Sequence, residues 1–285
     1  MNVSAHEEDV LKWRANRLAR LTGADGWLTV VGLAWLEEGD NWVGSGPENR
    51  VQLPRGPSRV GKITLSAGQV LAAIETDSGV THHAAPVTTL NLQDDSHGDP
   101  TVLRLGSLAF YVIRRGDHVA VRIKDVESPT RKSFTAIDSY PIDPRWRFEA
   151  HFETYDPSRT ARVPTVTKVE ETYQVPGALV FDHDGETYRI DAFLEKGETD
   201  LFLVFGDLTN RSETYGGGRY LYTRPADDRG IVVVDFNKAY NPPCVFTPFA
   251  TCALPLPQNK LPIRVEAGEK VYRGPTGSLP VIPRG

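Results

Sequence analysis

Glycine and polar residues at positions 213–219 could hold a ligand. The segment supplies Glu213, Tyr215 and, after three consecutive glycines, Arg219 at the start of a predicted strand. Consecutive glycines let the backbone approach a bound molecule, and the planar guanidinium of Arg219 could bind a carboxylate or a phosphate. The structural alternative is a glycine turn in which Arg219 pairs with Glu213 and stacks on a tyrosine. The spacing is not that of a phosphate-binding loop, since the required lysine is absent.

A second polar group precedes a bend that prolines stiffen. Asn237, Tyr240 and Asn241 place amide and phenol groups next to Pro242 and Pro243. Such side chains can line the edge of a pocket for a small molecule. Asparagines in this setting also form Asx turns with their own backbone, which need no ligand. Both interpretations stay open.

Both cysteines, Cys244 and Cys252, lie in an uncharged segment at residues 239–259 that contains five prolines. The prolines exclude a continuous helix or a central strand, so the backbone of this segment must find partners elsewhere in the protein. We therefore expect it to form a wall or lid of a site. The cysteines are buried apolar residues, a disulfide or a reactive thiol; a zinc site is disfavoured because no further Cys or His is near.

A basic strand offers a secondary set of anion ligands. Arg122 and Lys124 fall on one face of the strand predicted around residues 119–123, and Arg131 follows it. The alternative is a sheet face that is simply solvated.

No catalytic motif accompanies these residues. The histidines lack the spacing of metal ligands, and no serine lies in a G-x-S-x-G motif. The sequence therefore predicts no metal site, and it leaves a cofactor and any reaction unassigned.

Composition limits the partners. The chain has 285 residues and a formal net charge of -5, with no block of basic residues, which excludes a nucleic-acid surface. The apolar run at residues 26–36 is too short to cross a bilayer, and the acidic amino terminus lacks the pattern of a secretory signal. We expect a cytoplasmic protein whose partner is a small molecule, with no membrane partner.

One helix followed by many short strands predicts a mostly β protein. Ser4 is a plausible N-cap with Glu7 three residues later, and Gly23 provides a stop. After Gly23, short apolar and alternating runs are separated by turn residues, which is typical of antiparallel all-β domains.

A long C-terminal motif resembles a known family. The stretch VVVDFNKAYNPPCVFTPFATCALPLPQNKLPIRVEAGEKVY at residues 232–272 looks like the signature of a widespread bacterial and archaeal family of unknown function. Residues 27–45, 121–134 and 213–222 are also similar to that family, so the resemblance extends over most of residues 12–272. It implies no activity, cofactor or catalytic residue.

The amino-terminal half resembles the opening of a forkhead-associated β-sandwich. The resemblance rests on Gly44, Ser45, Asn49, Val51, Leu53, Ser58, Arg59 and Ile63. Ser45 stands where that family has its phosphate-binding arginine, and Gly61 stands where it has a histidine. The resemblance therefore implies the fold more than it implies phosphothreonine binding.

Together these patterns predict a helix and two β domains. The expected divisions are an N-terminal helix (1–24), a forkhead-associated-like β-sandwich (25–140), a C-terminal antiparallel barrel-like or sandwich-like domain (141–275) and a tail (276–285).

The leading functional hypothesis is a small ligand, with anions among the classes considered, bound where the glycine turn, the bend from Asn237 to Cys244 and the proline segment converge. The first alternative is an enzyme that acts on a small anionic substrate through Arg219, Tyr240 and Asn237, with Cys244 as a possible nucleophile. The second alternative is a forkhead-associated-like interaction adaptor.

Overall fold

The computed structural model describes residues 4–155 and 159–274, and most of the regular structure is β, as predicted. The α-helices are α1 (Ala5–Thr22) and α2 (Pro129–Ser133). The strands are β1 (Val30–Trp35), β2 (Gly39–Gly44), β3 (Val51–Gln52), β4 (Gly61–Ser66), β5 (Gln69–Ile74), β6 (Thr81–His82), β7 (Ala85–Pro86), β8 (Thr89–Asn91), β9 (Leu103–Leu105), β10 (Leu108–Arg115), β11 (His118–Asp125), β12 (Arg147–Thr154), β13 (Thr160–Pro164), β14 (Glu170–His183), β15 (Glu186–Leu194), β16 (Leu201–Phe205), β17 (Arg219–Thr223) and β18 (Ile231–Asp235). Short 3-10 turns occur at Trp27–Thr29, Asp95–His97, Pro144–Trp146, Phe236–Lys238, Pro243–Val245 and Pro257–Asn259.

The chain divides into two compact units. One contains residues 21–134; the other contains the described residues up to 20 and from 135 onward. The divide expected near residue 140 thus falls between 134 and 135, and most of α1 belongs to the unit built from the C-terminal half. The expected tail at 276–285 lies outside the described residues.

Helix α1 begins as its sequence predicts. The backbone amide of Glu7 donates to the Ser4 hydroxyl at 3.2 Å, which satisfies one of the free amides of the first turn. The helix ends at Thr22, directly before Gly23. The described residues contain no helix with the length and hydrophobicity needed to cross a lipid bilayer.

The unit of residues 21–134 is a β-sandwich. One sheet has the order β1-β11-β10-β9-β6-β7, and the other has the order β3-β2-β4-β5-β8. Alternate residues of both sheets face a shared apolar core, in which Val43 and Ile63 of one sheet pack with Phe110 and Val121 of the other. Burial of these faces fixes the strand register, because a slip of one residue would turn each apolar side chain outward.

The two departures from the forkhead-associated pattern have structural reasons. The Ser45 hydroxyl donates to the carbonyls of Gly56 and Pro57, at 2.8 and 3.1 Å, so it is used within its own loop. Gly61 has a φ of +143°, and a Cβ there would lie 2.3 Å from the carbonyl oxygen of Ala73. No side chain, and hence no histidine, fits at that position.

The second unit is a curled antiparallel sheet with the order β17-β16-β15-β14-β12-β18, to which β13 adds by pairing with β14. The Thr223 hydroxyl of β17 donates to the Val233 carbonyl of β18 at 2.6 Å, which links the two ends of the sheet. The inner face buries Leu179, Phe205 and Phe236. After β18 the chain leaves the sheet and forms irregular structure, as the prolines require.

Candidate functional site

A surface depression lies between the start of β15 and the end of the proline-rich segment. Its volume is about 420 Å³. The lining residues are Glu186, Thr187, Tyr188, Arg189, Gln258, Lys260, Leu261 and Pro262. Most carry polar or charged groups, and two of them, Arg189 and Lys260, are cations. One lining residue, Gln258, belongs to the uncharged segment at residues 239–259, and Lys260 follows that segment directly.

Arg189 is held in place from behind the depression. Its Nη2 donates to the Tyr155 hydroxyl at 2.7 Å, and its Nη1 pairs with Glu153. The hydrogen bond that Arg189 donates to Glu153 raises the pKa of Arg189 above its ordinary value. The Tyr155 hydroxyl in turn donates to the Asp191 carboxylate at 2.7 Å, and Asp191 is 3% exposed. These contacts connect the exposed guanidinium of Arg189 to the buried carboxylate of Asp191. Because they already restrict the Arg189 side chain, less conformational entropy is lost when a ligand binds to it.

Asp191 also orients the opposite wall. The Gln258 side-chain amide donates to Asp191 Oδ2 at 3.1 Å. Asn259 is fully buried and exchanges two hydrogen bonds with the backbone of Asp191, at 2.9 and 3.0 Å, and donates to the Val204 carbonyl at 3.1 Å. These bonds dock the end of the proline segment onto β15 and β16, and so fix the backbone that carries Lys260.

Lys260 is exposed, and its ammonium forms no hydrogen bond or ion pair with the part of the chain that the structure describes. The sequence predictions missed Lys260, Arg189, Asp191 and Gln258. The sequence marks some of these residues only by their positions. Gln258 is next to the end of the uncharged segment, Lys260 follows that segment, and Asp191 interrupts the apolar run of β15. Only the fold brings these positions together.

Arg219 lies in the core, not at a surface. It has no exposed area, and its Nη2 donates to Asp207 Oδ2 and to the Val265 carbonyl, both at 2.8 Å. Its Nη1 donates to the Ala267 carbonyl, and its guanidinium lies 5.3 Å from the Phe205 ring centre. The guanidinium therefore holds the chain at 265–267 against the sheet, and its burial leaves no surface at which an anionic ligand could contact it in this conformation.

The alternative pairing of Arg219 with Glu213 is wrong. Glu213 instead pairs with Arg264 and accepts a hydrogen bond from the Tyr140 hydroxyl at 3.0 Å. The glycines are needed for packing: Gly218 has a φ of +87°, and a Cβ there would lie 2.5 Å from Pro255 Cγ. The glycine turn thus lies against Pro255, and this contact leaves no room even for a Cβ atom.

The two asparagines form long-range bonds. The Asn237 side-chain amide donates to the Asp143 carbonyl and to Asp235 Oδ1, both at 2.9 Å. The Asn241 side-chain amide donates to the Lys270 carbonyl at 2.7 Å. Both side chains are fully buried. The bonds to the Asp143 and Lys270 carbonyls connect segments distant in sequence, so they are not the Asx turns of the alternative, whereas the bond to Asp235 is local.

Helix α1 packs over Tyr240 and Asn241. The Arg17 guanidinium lies 4.7 Å from the Tyr240 ring centre and donates to the Asn241 carbonyl at 3.1 Å and to Glu269 Oε1 at 3.3 Å. The backbone amide of Asn241 donates to the other oxygen of Glu269 at 2.7 Å. Burial raises the pKa of Glu269, and burial also raises that of Tyr240. These residues connect the helix to the C-terminal segment.

The two cysteines are free and in contact. The amide of Cys244 donates to Cys252 Sγ at 3.1 Å, and both residues are buried. Tyr215 is 1% exposed, and its hydroxyl lies close enough to the Cys244 thiol to alter the pKa values of both groups. Glu213, Arg219, Asn237 and Asn241 instead contact Arg264, Asp207 and the carbonyls of Asp143 and Lys270.

The second set of predicted anion ligands, Arg122, Lys124 and Arg131, lies in the unit of residues 21–134. Arg122 is 4% exposed and lies over the Trp27 ring at 4.8 Å, so a solvated face is wrong for this side chain. Lys124 donates to the Asp25 carbonyl at 2.9 Å, and Arg131 donates to the Thr22 and Val126 carbonyls at 2.9 and 2.8 Å. Within residues 4–155 and 159–274, no three His, Cys, Asp or Glu side chains are grouped as metal ligands would be.

Comparisons with known proteins give one family and two solved structures of interest. Residues 132–270 match the family model described as "Protein of unknown function (DUF1684)". An uncharacterised protein of Haloarcula marismortui, determined by NMR in solution, is 31% identical over 49% of this chain and 78% of its own, with a TM-score of 0.42. A structure from a study of phosphothreonine-dependent FHA domain interactions is 28% identical over 34% of this chain and 96% of its own, with a TM-score of 0.23. No curated protein matches.

Proposed function

The chain belongs to the DUF1684 family of proteins of unknown function, and from that premise we propose that it binds a small anionic molecule in the depression between β15 and the proline-rich segment. One observation carries the proposal: Lys260, a cation without a partner among the described residues, lines the same depression as Arg189. The proposal keeps the ligand class expected from the sequence and moves its site from Arg219 to this surface.

The charges around the depression favour an anion. The charge of Arg189 is offset by Glu153, and Glu186 is an exposed acid at the edge. The charge of Lys260 is offset by no carboxylate within ion-pair distance among the described residues. A carboxylate or phosphate between Lys260 and Arg189 would gain charge-assisted hydrogen bonds from both side chains.

The open shape of the site limits the affinity. Ions that remain partly in water interact with an effective dielectric constant near that of water, so each exposed contact contributes about 1 kcal/mol or less. Two to four such contacts total about 2–4 kcal/mol, which corresponds to dissociation constants on the order of 1–30 mM for a simple ion. A tighter natural ligand would add contacts to Tyr188, Gln258 and Leu261.

Calorimetry and thermal shift test the proposal. Inorganic phosphate and citrate are titrated separately, which distinguishes a phosphate from a carboxylate preference, into the full chain and into two variants. Lys260→Gln removes the unpaired cation. Lys12→Gln is the matched control, because Lys12 is an exposed helix residue of the same unit and is not part of the depression.

We expect at least one anion to raise the melting temperature of the unchanged chain and of Lys12→Gln. The increase should grow with the ratio of the free ligand concentration to the dissociation constant. Lys260→Gln should lose most of this stabilisation. Equal stabilisation of all three proteins, or of none by either anion, would refute the site.

The proposal includes a cytosolic location, where contacting thiols such as Cys244 and Cys252 stay reduced. Cell fractionation checks it. We assign no reaction to the depression.

A further inference from the structure

The thiols of Cys244 and Cys252 lie side by side in the folded chain. Cys244 is in the 3-10 turn Pro243–Val245, and Cys252 is eight residues beyond that cysteine in an irregular stretch. The Cys244 amide donates to Cys252 Sγ at 3.1 Å, which places the Cys252 sulfur directly against Cys244. The two sulfurs therefore need little chain movement to form a covalent bond.

The backbone on both sides of the pair is fixed. Prolines precede Cys244, and the Cys252 carbonyl accepts from the Val166 amide at 2.9 Å. The next residue, Ala253, accepts a hydrogen bond from the Tyr220 hydroxyl at 2.9 Å. These anchors belong to the same unit, so the contact between the sulfurs is set by the fold of that unit.

The environment distinguishes the two thiols. The hydrogen bond from Cys252 lowers the pKa of Cys244, whereas burial raises the pKa of Cys252. The Tyr215 hydroxyl is buried and has no hydrogen-bond partner among the described residues, and its pKa is raised by burial and by Cys244, so it is a donor available to a developing thiolate. A thiolate next to a protonated thiol is the arrangement of an attacking and a resolving cysteine.

We propose that Cys244 and Cys252 are an oxidisable pair, which hydrogen peroxide converts within the native fold into a reversible disulfide. The Cys244 thiolate attacks one peroxide oxygen, the O–O bond breaks, and hydroxide leaves and takes up the proton that Cys244 lost. The Cys252 sulfur then attacks the sulfenic acid of Cys244, and the Cys252 proton leaves with the hydroxyl group as water. Two thiols lose two electrons, and one peroxide becomes two water molecules.

Burial selects the oxidant. Cys244 is 9% exposed and Cys252 is 6% exposed, so a small neutral peroxide reaches them more readily than a folded oxidoreductase or a bulky disulfide. The site is independent of the proposed anion site, and neither requires the other.

Intact-mass spectrometry of the full chain tests the proposal. The reduced protein is freed of reductant, exposed to hydrogen peroxide and alkylated in denaturant. We expect the loss of two hydrogen atoms, no alkylation, and reversal by dithiothreitol. Cys252→Ser should retain a sulfenic acid at Cys244, which dimedone captures, and Cys244→Ser should react with peroxide about tenfold more slowly than Cys252→Ser.

The unchanged protein supplies the decisive comparison, so the result does not depend on variants that fold poorly. Peroxide that leaves both thiols alkylatable in the native protein, while it oxidises them in urea, would overturn the proposal. Addition of oxygen to either sulfur without a cross-link would overturn it as well. Tyr215→Phe should slow the first step several-fold if its hydroxyl assists Cys244.

Discussion

Substituting Arg219 tests the description of the buried core most directly. Arg219→Gln removes a guanidinium that pairs with Asp207, at 0% exposure for both side chains, and that donates to the carbonyls of Val265 and Ala267. Glutamine is too short to reach all three partners, and the Asp207 carboxylate remains buried without its counter-ion. Breaking a buried pair from one side costs about 3–5 kcal/mol. For a unit of this size, that loss lowers the melting temperature by roughly 6–20 °C.

Arg162→Gln is the matched control, because Arg162 forms an ion pair with Glu170 at 77% and 47% side-chain exposure. An exposed pair contributes about 0–1 kcal/mol, so the control should be nearly unchanged. Urea unfolding, monitored by circular dichroism and by fluorescence, measures the free energy of unfolding of both variants. Transitions that differ between the two probes would show that the units unfold separately. A loss below about 1 kcal/mol for Arg219→Gln would refute the buried pair.

Three further predictions concern other contacts. Tyr155→Phe removes the hydroxyl that holds Arg189 and should weaken phosphate binding about fivefold by calorimetry, as expected for one lost hydrogen bond of about 1 kcal/mol; unchanged binding would separate Arg189 from the site. Thr223→Val should lower the free energy of unfolding by about 0.5–1.5 kcal/mol and speed amide exchange at the ends of β17 and β18. Because burial raises the pKa of Glu269, the native state binds a proton at this carboxyl more readily than the unfolded chain does. The free energy of unfolding should therefore fall as the pH rises from the ordinary pKa of a glutamate to the raised pKa of Glu269. Glu269→Gln should remove that slope in denaturation series at several pH values, and an unchanged slope would contradict the assignment.

Local patterns were sufficient to predict the type of structure. The Ser4 cap, the alternation of β11 and the turn residues between strands each reflect contacts within a few residues, which the sequence displays directly. The proline content likewise predicted irregular structure that folds inward, and Cys244 and Cys252 are buried there.

The candidate site was harder to predict because it depends on contacts between distant residues. The same sequence features are compatible with a ligand-binding arginine and with a core arginine, and only the position of Asp207, twelve residues earlier, decides that Arg219 is structural. The site residues Arg189 and Lys260 are separated by seventy-one positions and carry no motif. An exposed lysine becomes informative only when the fold shows that no carboxylate accompanies it.

The packing of α1 affects the choice of fragment boundaries when the part of the chain that matches the family is expressed alone. The family match starts at residue 132, yet Arg17 supplies the counter-ion of the buried Glu269 and Arg14 donates to the Tyr140 carbonyl at 3.0 Å. A fragment cut at the family boundary would leave an acid stranded in apolar surroundings and a strip of core open to water. Expression designs should therefore keep the first twenty residues, or supply them as a separate peptide that restores the fragment by complementation.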